Sequence, residues 1–463
     1  MNNGNNGHSS NGSNGHKGQF EKRRLWPARK NTAGKPNGSG PLERLTHLNA
    51  GAAQFQRRYA HIVGWGMAVP EHVLTNHDLA AIVDTNDEWI VARTGISERR
   101  IADEKETTGQ LALKAAQAAL EVANILPTDL DLIVVATSTP EFIFPSTASQ
   151  IQGWLGASQA GAYDLSAACS GFVYAVDMVS AKIRAGDIET ALVIGAETMS
   201  RVMDWSDRGT CILFGDGAGA VILQANREPG GVLSSVLRSD GAGWDALTLP
   251  TVGSTETFLR DHKTKSEIED SKESKEKEGG QGPKLHRMSM NGREVFRFAT
   301  RVVSDSIKEA LRLADLTVED VTLIVPHQAN QRIIESAARS LKLAEDKLYS
   351  NISRYGNTSA ASIPIALCEA IEENRIKPGD NIVFVGFGGG LAWASMVVKW
   401  AVIPEKRNQT IMDARRQITY WYATQRQGVV KTWRRVYNRL AGSATPNATM
   451  ENLRKKLERS DWE

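Results

Sequence analysis

Cysteine is scarce in this chain of 463 residues: it has three, Cys169, Cys211 and Cys368. An odd, sparse set without a CxxC pair excludes a disulfide framework, leaves no metal site to expect and points to a reducing cytoplasm. An apolar signal-peptide core is lacking, so no secretory signal is expected. The longest apolar stretch, 382–398, contains three consecutive glycines at 388–390. It reads as a tight turn between two buried strands rather than a membrane span. Net charge is also nearly absent, at +2, but it is uneven. Residues 1–60 carry a balance of +8 and residues 402–463 of +7, so the stretch between them is at −13. The core is acidic and both tails are basic. The tails alone do not argue for nucleic-acid binding.

Four regions are expected. Residues 1–59 are rich in Asn, Gly, Ser and basic residues and form a disordered basic extension. Residues 60–230 and 231–401 form two α/β halves, the second interrupted by a charged insertion near 259–284. Residues 402–463 form a basic helical extension. The two halves are inferred from a repeat at an offset of 191 residues: L-E-V-A-N-I-L-P-T-D-L-D-L-I-V-V (120–135) matches L-R-L-A-D-L-T-V-E-D-V-T-L-I-V-P (311–326). Each copy is a helix end, an acidic turn and an apolar strand. Further on, A-L-V-I-G-A-E (191–197) resembles N-I-V-F-V-G-F (381–387). Apolar strands alternating with helices imply sheets covered on both faces. A duplication then places functional groups where the two halves meet.

Three residues carry candidate chemistry. Cys169, in D-L-S-A-A-C-S-G-F (164–172), stands where an extended run becomes a helix. There the helix dipole favours thiolate; a buried structural thiol is the alternative, and it is the reading kept for Cys211 and Cys368. His327, in P-H-Q-A-N, directly follows a strand, where α/β folds present functional groups. Asn357, in R-Y-G-N-T-S-A-A-S, reads as a carboxamide donor or as a turn-former. The G-F-G-G-G segment (386–390) can bring backbone N–H groups close to a ligand.

Taken together, D-L-S-A-A-C-S-G-F, F-G-D-G-A-G-A, V-P-H-Q-A-N, G-N-T-S-A-A-S and G-F-G-G-G resemble the β-ketoacyl-acyl-carrier-protein synthase III family of the thiolase superfamily. The resemblance covers about residues 60–400. It implies a duplicated five-layer αβαβα thiolase-like fold, a homodimer and no resident cofactor. It further implies that Cys169 takes an acyl group from acyl-coenzyme A, with the N–H groups of Cys169 and Gly389 as oxyanion hole. His327 and Asn357 would then bind the thioester carbonyl of malonyl-acyl-carrier protein while it decarboxylates. Trp89 would stack on adenine with Arg208 on its other face, Arg93 would meet phosphate, and Asn330 would contact pantetheine. Arg297 and Arg332 would contact the carrier protein, and Phe144 would reach into the partner subunit's acyl pocket.

One position departs from the family: Arg293 stands where Asn is usual, and Asn291 lies two residues earlier. The alternatives are a related condensing or acyl-transfer enzyme for polyketide or specialised lipid starters, and a non-catalytic membrane-associated scaffold. Outside the resemblance, Ile411, Ile418, Tyr422, Val429, Trp433, Val436 and Leu440 recur at helical spacing, with Arg434 and Arg435 beside them. That pattern predicts a helix docked on the core or dimer partner, or one touching an anionic membrane surface or the carrier protein.

Overall fold

The computed structural model describes residues 57–250, 286–400 and 409–441. The insertion near 259–284, nearly all of the N-terminal extension and residues 442–463 lie outside the described residues.

The first half contains β1 (Tyr59–Ala68), β2 (Val73–Thr75), β3 (Glu98–Arg100), β4 (Leu132–Ala136), β5 (Gly161–Leu165), β6 (Thr190–Thr198) and β7 (Asp216–Asn226). The second contains β8 (Gly231–Ser239), β9 (Leu247–Thr248), β10 (Ser289–Met290), β11 (Leu323–Pro326), β12 (Asn381–Gly388) and β13 (Ala392–Lys399). The main helices of the chain are α1 (Asn76–Ala80), α2 (Asp87–Thr94), α3 (Thr108–Ala123), α4 (Thr147–Leu155), α5 (Gly171–Ala185), α6 (Gly292–Leu313), α7 (Gln331–Leu341), α8 (Ile352–Tyr355), α9 (Ser362–Glu372) and α10 (Gln409–Ala441).

Two sheets carry the architecture. One runs β1-β7-β6-β4-β5 and the other β8-β13-β12-β11. In both, the parallel core strands (β4 with β6, β11 with β12) are followed by an antiparallel return strand and an antiparallel edge. The place of β5 is taken in the second sheet by a single parallel bridge, Ile324 to Leu348. Three apolar cores separate five layers. The first sheet's outer face packs on α3 and α4. Both inner faces pack on α5 and α9. The second sheet's outer face packs on α6 and α7. This is the duplicated αβαβα thiolase-like fold.

The repeated acidic turn has a local cause. Asp129 accepts from the Leu126 N–H at 3.0 Å and Asp320 from the Thr317 N–H at 2.8 Å. Each closes a short 3-10 turn feeding the next strand. The strand register corrects one expected pairing. Leu132 lies beside Ala191 and Leu323 beside Ile382, so β6 and β12 correspond at the 191-residue offset. The match of 191–197 with 381–387 is one residue out, and such a slip would turn every side chain to the wrong face. In the correct register Gly195 matches Gly386. A Cβ on Gly195 would stand 2.1 Å from the Ala360 carbonyl oxygen, and one on Gly386 would stand 3.0 Å from Ser170 Cα. Each central strand therefore lies directly against the turn opening the other half's inner helix, which sets the thiol of one half against the second.

Helix α10 runs beside α4, but not on the face its periodicity suggests. Met412, Arg416 and Ala423 are buried, and Arg416 donates to the Leu120 and Ile125 carbonyls at 3.4 and 3.3 Å. Ile411, Ile418, Tyr422, Val429, Trp433 and Val436 all face outward. The helix docks through one face and leaves its apolar stripe uncovered; the side chain of Leu440 lies outside the described residues.

Candidate active site

Cys169 lies on a 3-10 turn, Ala168–Ser170, between β5 and α5. Ala168 adopts φ +45, and at the 191-residue offset Ser359 adopts φ +50. Both inner helices thus begin with the same sharp turn, and the two turns face each other. The Cys169 thiol donates to Ser359 Oγ at 3.5 Å. Burial pushes this thiol up to about 12. The helix dipole works the other way, but it is worth about 0.3–2 kcal/mol against about 1.4 kcal/mol for each pKa unit. The resting group is therefore a thiol, not the standing thiolate that the helix position suggests.

His327 follows β11 and is held by its N–H to the Val385 carbonyl at 2.8 Å. Its ring meets Phe387 edge-on, with centroids 5.1 Å apart. Burial lowers its pKa to about 3, so the imidazole is neutral. Nδ1 lies 2.6 Å from Ser362 Oγ, which also accepts from the Gln328 N–H at 3.4 Å. Where Ser362 donates to Nδ1, the ring proton sits on Nε2. Asn357 Oδ1 accepts from the Ser359 N–H at 2.8 Å, which leaves the amide N–H groups as its available end. Its backbone forms an isolated parallel bridge to Phe214, giving its N–H to Leu213 and accepting from Gly215.

Cys169, His327 and Asn357 line one cavity of about 460 Å³. Trp89, Arg93, Arg293, Asn330, Arg297 and Arg332 also line it. Asn86 caps α2 by accepting from the Trp89 N–H at 2.8 Å, and Asn330 caps α7 while donating to the Arg93 carbonyl at 3.0 Å. The Arg93 guanidinium lies 4.2 Å and that of Arg208 5.1 Å from the Trp89 ring centroid. A flat base inserted between Trp89 and Arg208 needs about 7 Å, two contacts of roughly 3.5 Å. Arg208, tied here to the Asp84 carbonyl at 2.8 Å, must swing away to admit one. Asn291 is occupied as the N-cap of α6, so it does not stand in at the cavity for the residue replaced by Arg293. Arg332 rests on Phe296 at 5.2 Å. Phe144 is 86 % exposed and does not line this cavity; the neighbouring Phe142 and Ile143 are exposed too.

Sequence reasoning missed four residues. Gly388, one before Gly389, is the glycine against Cys169: a Cβ there would stand 2.9 Å from Cys169 Cβ and 3.2 Å from Sγ. A Cβ on Gly389 would stand instead 3.2 Å from the Leu247 carbonyl oxygen and 3.6 Å from Ala168 Cβ. Ser359 and Ser362 lie in G-N-T-S-A-A-S, where the sequence pattern gives them no role. Glu197 was read as a strand end, yet its fully buried carboxylate accepts from Ser359 Oγ at 3.0 Å. Cys211 and Cys368 are buried outside the cavity. Among the described residues no cluster of His, Cys, Asp or Glu could hold a metal.

Comparison with known proteins places this arrangement. The family described as 3-Oxoacyl-[acyl-carrier-protein (ACP)] synthase III matches residues 163–241, and its C-terminal part matches residues 311–400. The Beta-ketoacyl-[acyl-carrier-protein] synthase III of Caldanaerobacter subterraneus is 48% identical over 342 residues, 74% of this chain and 98% of the relative. That of Clostridium acetobutylicum is 48% identical over 339 residues, 73% and 98% respectively. The crystal structure of the Aquifex aeolicus enzyme is 43% identical, with a TM-score of 0.65 over 73% of this chain and 99% of that one. A priming β-ketosynthase from the R1128 polyketide biosynthetic pathway is 33% identical, with a TM-score of 0.66 over 75% and 98%.

Proposed function

The chain belongs to the 3-oxoacyl-[acyl-carrier-protein] synthase III family, and from that membership we propose how its two halves divide the reaction. The enzyme is a condensing acyltransferase. It joins the acyl group of acyl-coenzyme A to malonyl-acyl-carrier protein with loss of carbon dioxide, which starts a fatty-acid chain. Acyl-coenzyme A is a substrate, and no resident cofactor takes part.

The first half, 60–230, supplies the nucleophile. Cys169 gives up its proton as its sulfur attacks the acyl thioester; coenzyme A leaves and an acyl-cysteine remains. The N–H groups of Cys169 and of the 388–389 turn hold the tetrahedral oxyanion. The second half, 231–401, then binds the malonyl thioester carbonyl through His327 Nε2–H and an Asn357 N–H. The carbon–carboxylate bond breaks, carbon dioxide leaves, and the electron pair rests on the enolate oxygen. That carbanion attacks the acyl-cysteine carbon, releasing the thiolate and forming the β-ketoacyl product. Two neutral donors suit this step, because a carboxylate would oppose the developing charge in a dry site. The observation that carries the reading is the pairing of a buried thiol from one half with a neutral imidazole and a carboxamide from the other in one cavity.

Around that centre, Trp89, Arg93, Arg208 and Asn330 hold coenzyme A, and Arg297 and Arg332 on α6 and α7 meet the carrier protein. Phe144 serves the partner subunit of a homodimer, its exposure in one protomer fitting that use. The test is a two-stage incubation with acyl-coenzyme A donors of several lengths, then malonyl-acyl-carrier protein. One carbon dioxide per β-ketoacyl product is expected. Acyl transfer without condensation would leave a transferase, and no product from any donor would remove the enzyme reading.

The C-terminal helix supports a peripheral contact with an anionic membrane. Its outward stripe runs from Ile411 to Val436 and includes Tyr422 and Trp433. Arg415, Arg426, Lys431, Arg434 and Arg435 accompany it, while the helix's one acid, Asp413, is paired with Arg416. Among the described residues no helix is long and apolar enough to cross a membrane, so the contact is interfacial. The full chain should float with vesicles containing anionic lipid and not with neutral ones, and Trp433→Glu should weaken flotation. Equal recovery from both vesicle types, or no flotation, would reject it.

A further inference from the structure

The buried carboxylate of Glu197 has no part in the reaction as divided above, and burying a carboxylate without a cation is costly. Its surroundings are built for it. It accepts from Thr139 Oγ at 2.5 Å, from the Ser138 N–H at 3.1 Å, from Thr137 Oγ at 3.3 Å and from Ser359 Oγ at 3.0 Å. None of these donors is a cation, so nothing holds the proton off the carboxylate permanently. Three of the four tie it into its own half. The fourth, Ser359, comes from the facing turn of the other half, and its hydroxyl is also the acceptor of the Cys169 thiol. Ser359 is fixed there at φ +50 by its N–H bond to Asn357 Oδ1. The result is an unbroken line from Sγ through a hydroxyl to a carboxylate, with all three residues buried.

We propose that Ser359 and Glu197 form the proton relay for acylation of Cys169. This rests on Cys169 being the acyl acceptor. As the sulfur attacks the acyl-coenzyme A carbonyl, the thiol proton passes to Ser359 Oγ while the Ser359 proton passes to Glu197. The S–C bond to Cys169 forms and the S–C bond to coenzyme A breaks; the Ser359 hydroxyl gives its proton to the departing thiolate while Glu197 returns one to Ser359. Atoms and charge balance, and Glu197 ends the step ionised. The relay supplies what a thiol raised by burial requires, a base that acts only during attack. Ser359 touches the reacting sulfur; Glu197 acts through it.

Burial also holds the Glu197 carboxyl up, to about 7. The titratable group facing it is Cys169, reached through Ser359; hydroxyls and one amide complete its hydrogen bonds. Above about pH 7 the carboxylate can accept; below it the site is already protonated and the relay is blocked.

The experiment is a rapid-mixing measurement of Cys169 acylation by acyl-coenzyme A, read by intact mass from pH 5.5 to 9. The wild-type rate should fall as the pH drops through about 7. Glu197→Gln should slow acylation at least tenfold and flatten that limb. Ser359→Ala should do the same, and Glu197→Asp, which keeps the carboxylate, should retain part of the rate together with the pH-dependent limb. Malonyl decarboxylation in a Cys169→Ala background, measured with and without Glu197→Gln, reports folding and failure of the wider reading independently. Glu197→Gln acylating at the wild-type rate would overturn the relay. So would a slowed rate that keeps the wild-type pH profile, since that is the mark of a packing defect. Should Glu197→Gln fail to fold, Ser359→Ala against Glu197→Asp decides by the same profile.

Discussion

Replacing His327 or Asn357 by alanine should slow malonyl decarboxylation by about 10²–10³-fold each, the usual cost of losing one donor to a developing oxyanion, while Cys169 still takes up its acyl group. Both residues belong to the second half and present neutral N–H groups to the cavity. His327 Nδ1 is occupied by Ser362 and Asn357 Oδ1 by Ser359, so each has one working end. Because burial keeps the imidazole neutral down to about pH 3, His327 should add no limb to the pH profile of decarboxylation between about 5 and 8. Carbon dioxide release measured beside intact mass separates the two steps. Equal loss of acylation and decarboxylation in either variant would contradict the division between halves. Asn357→Ala will disturb acylation somewhat more than His327→Ala, since it releases the Ser359 N–H beside the thiol.

Cys169→Ala should have the opposite signature. Removing a nucleophile from a working constellation has cost about 10⁶-fold in the best-studied hydrolase, and condensation here should fall to background. Decarboxylation should persist, because the donors from the second half do not act through sulfur. The substitution itself fits: Cys169 Sγ makes one long hydrogen bond, at 3.5 Å, and its turn is held by backbone contacts and by Gly388. Condensation surviving in Cys169→Ala would mean that the acyl group is never held on this residue.

Much of the site could be read from the chain because its parts lie in short segments at strand or turn ends. Cys169, His327 and Asn357 each carry a local signal, and the repeat gave a reason for residues of two halves to meet. What could not be read arises from packing across the duplication. Glu197 and Ser359 are 162 residues apart, and only the facing of two sharp turns joins them. The thiol's protonation depends on burial, which the helix position does not report. The β6 and β12 match slipped by one residue because two apolar strands look alike in either alignment. Only the glycines at 195 and 386, each pressed against the opposite turn, fix the register. In α10 the periodicity found the apolar stripe but not its surroundings. The docked face uses a buried arginine, Arg416, whose partners are carbonyls at the end of α3 and the Asp413 carboxylate rather than apolar side chains.

The most direct test of the account is to mix the protein with acyl-coenzyme A alone, quench, and map the acyl group by peptide mass. The account predicts one acyl group per chain on the peptide containing Cys169, with none on those containing Cys211 or Cys368. An unmodified Cys169 with every donor, or an acyl group carried elsewhere, would contradict it.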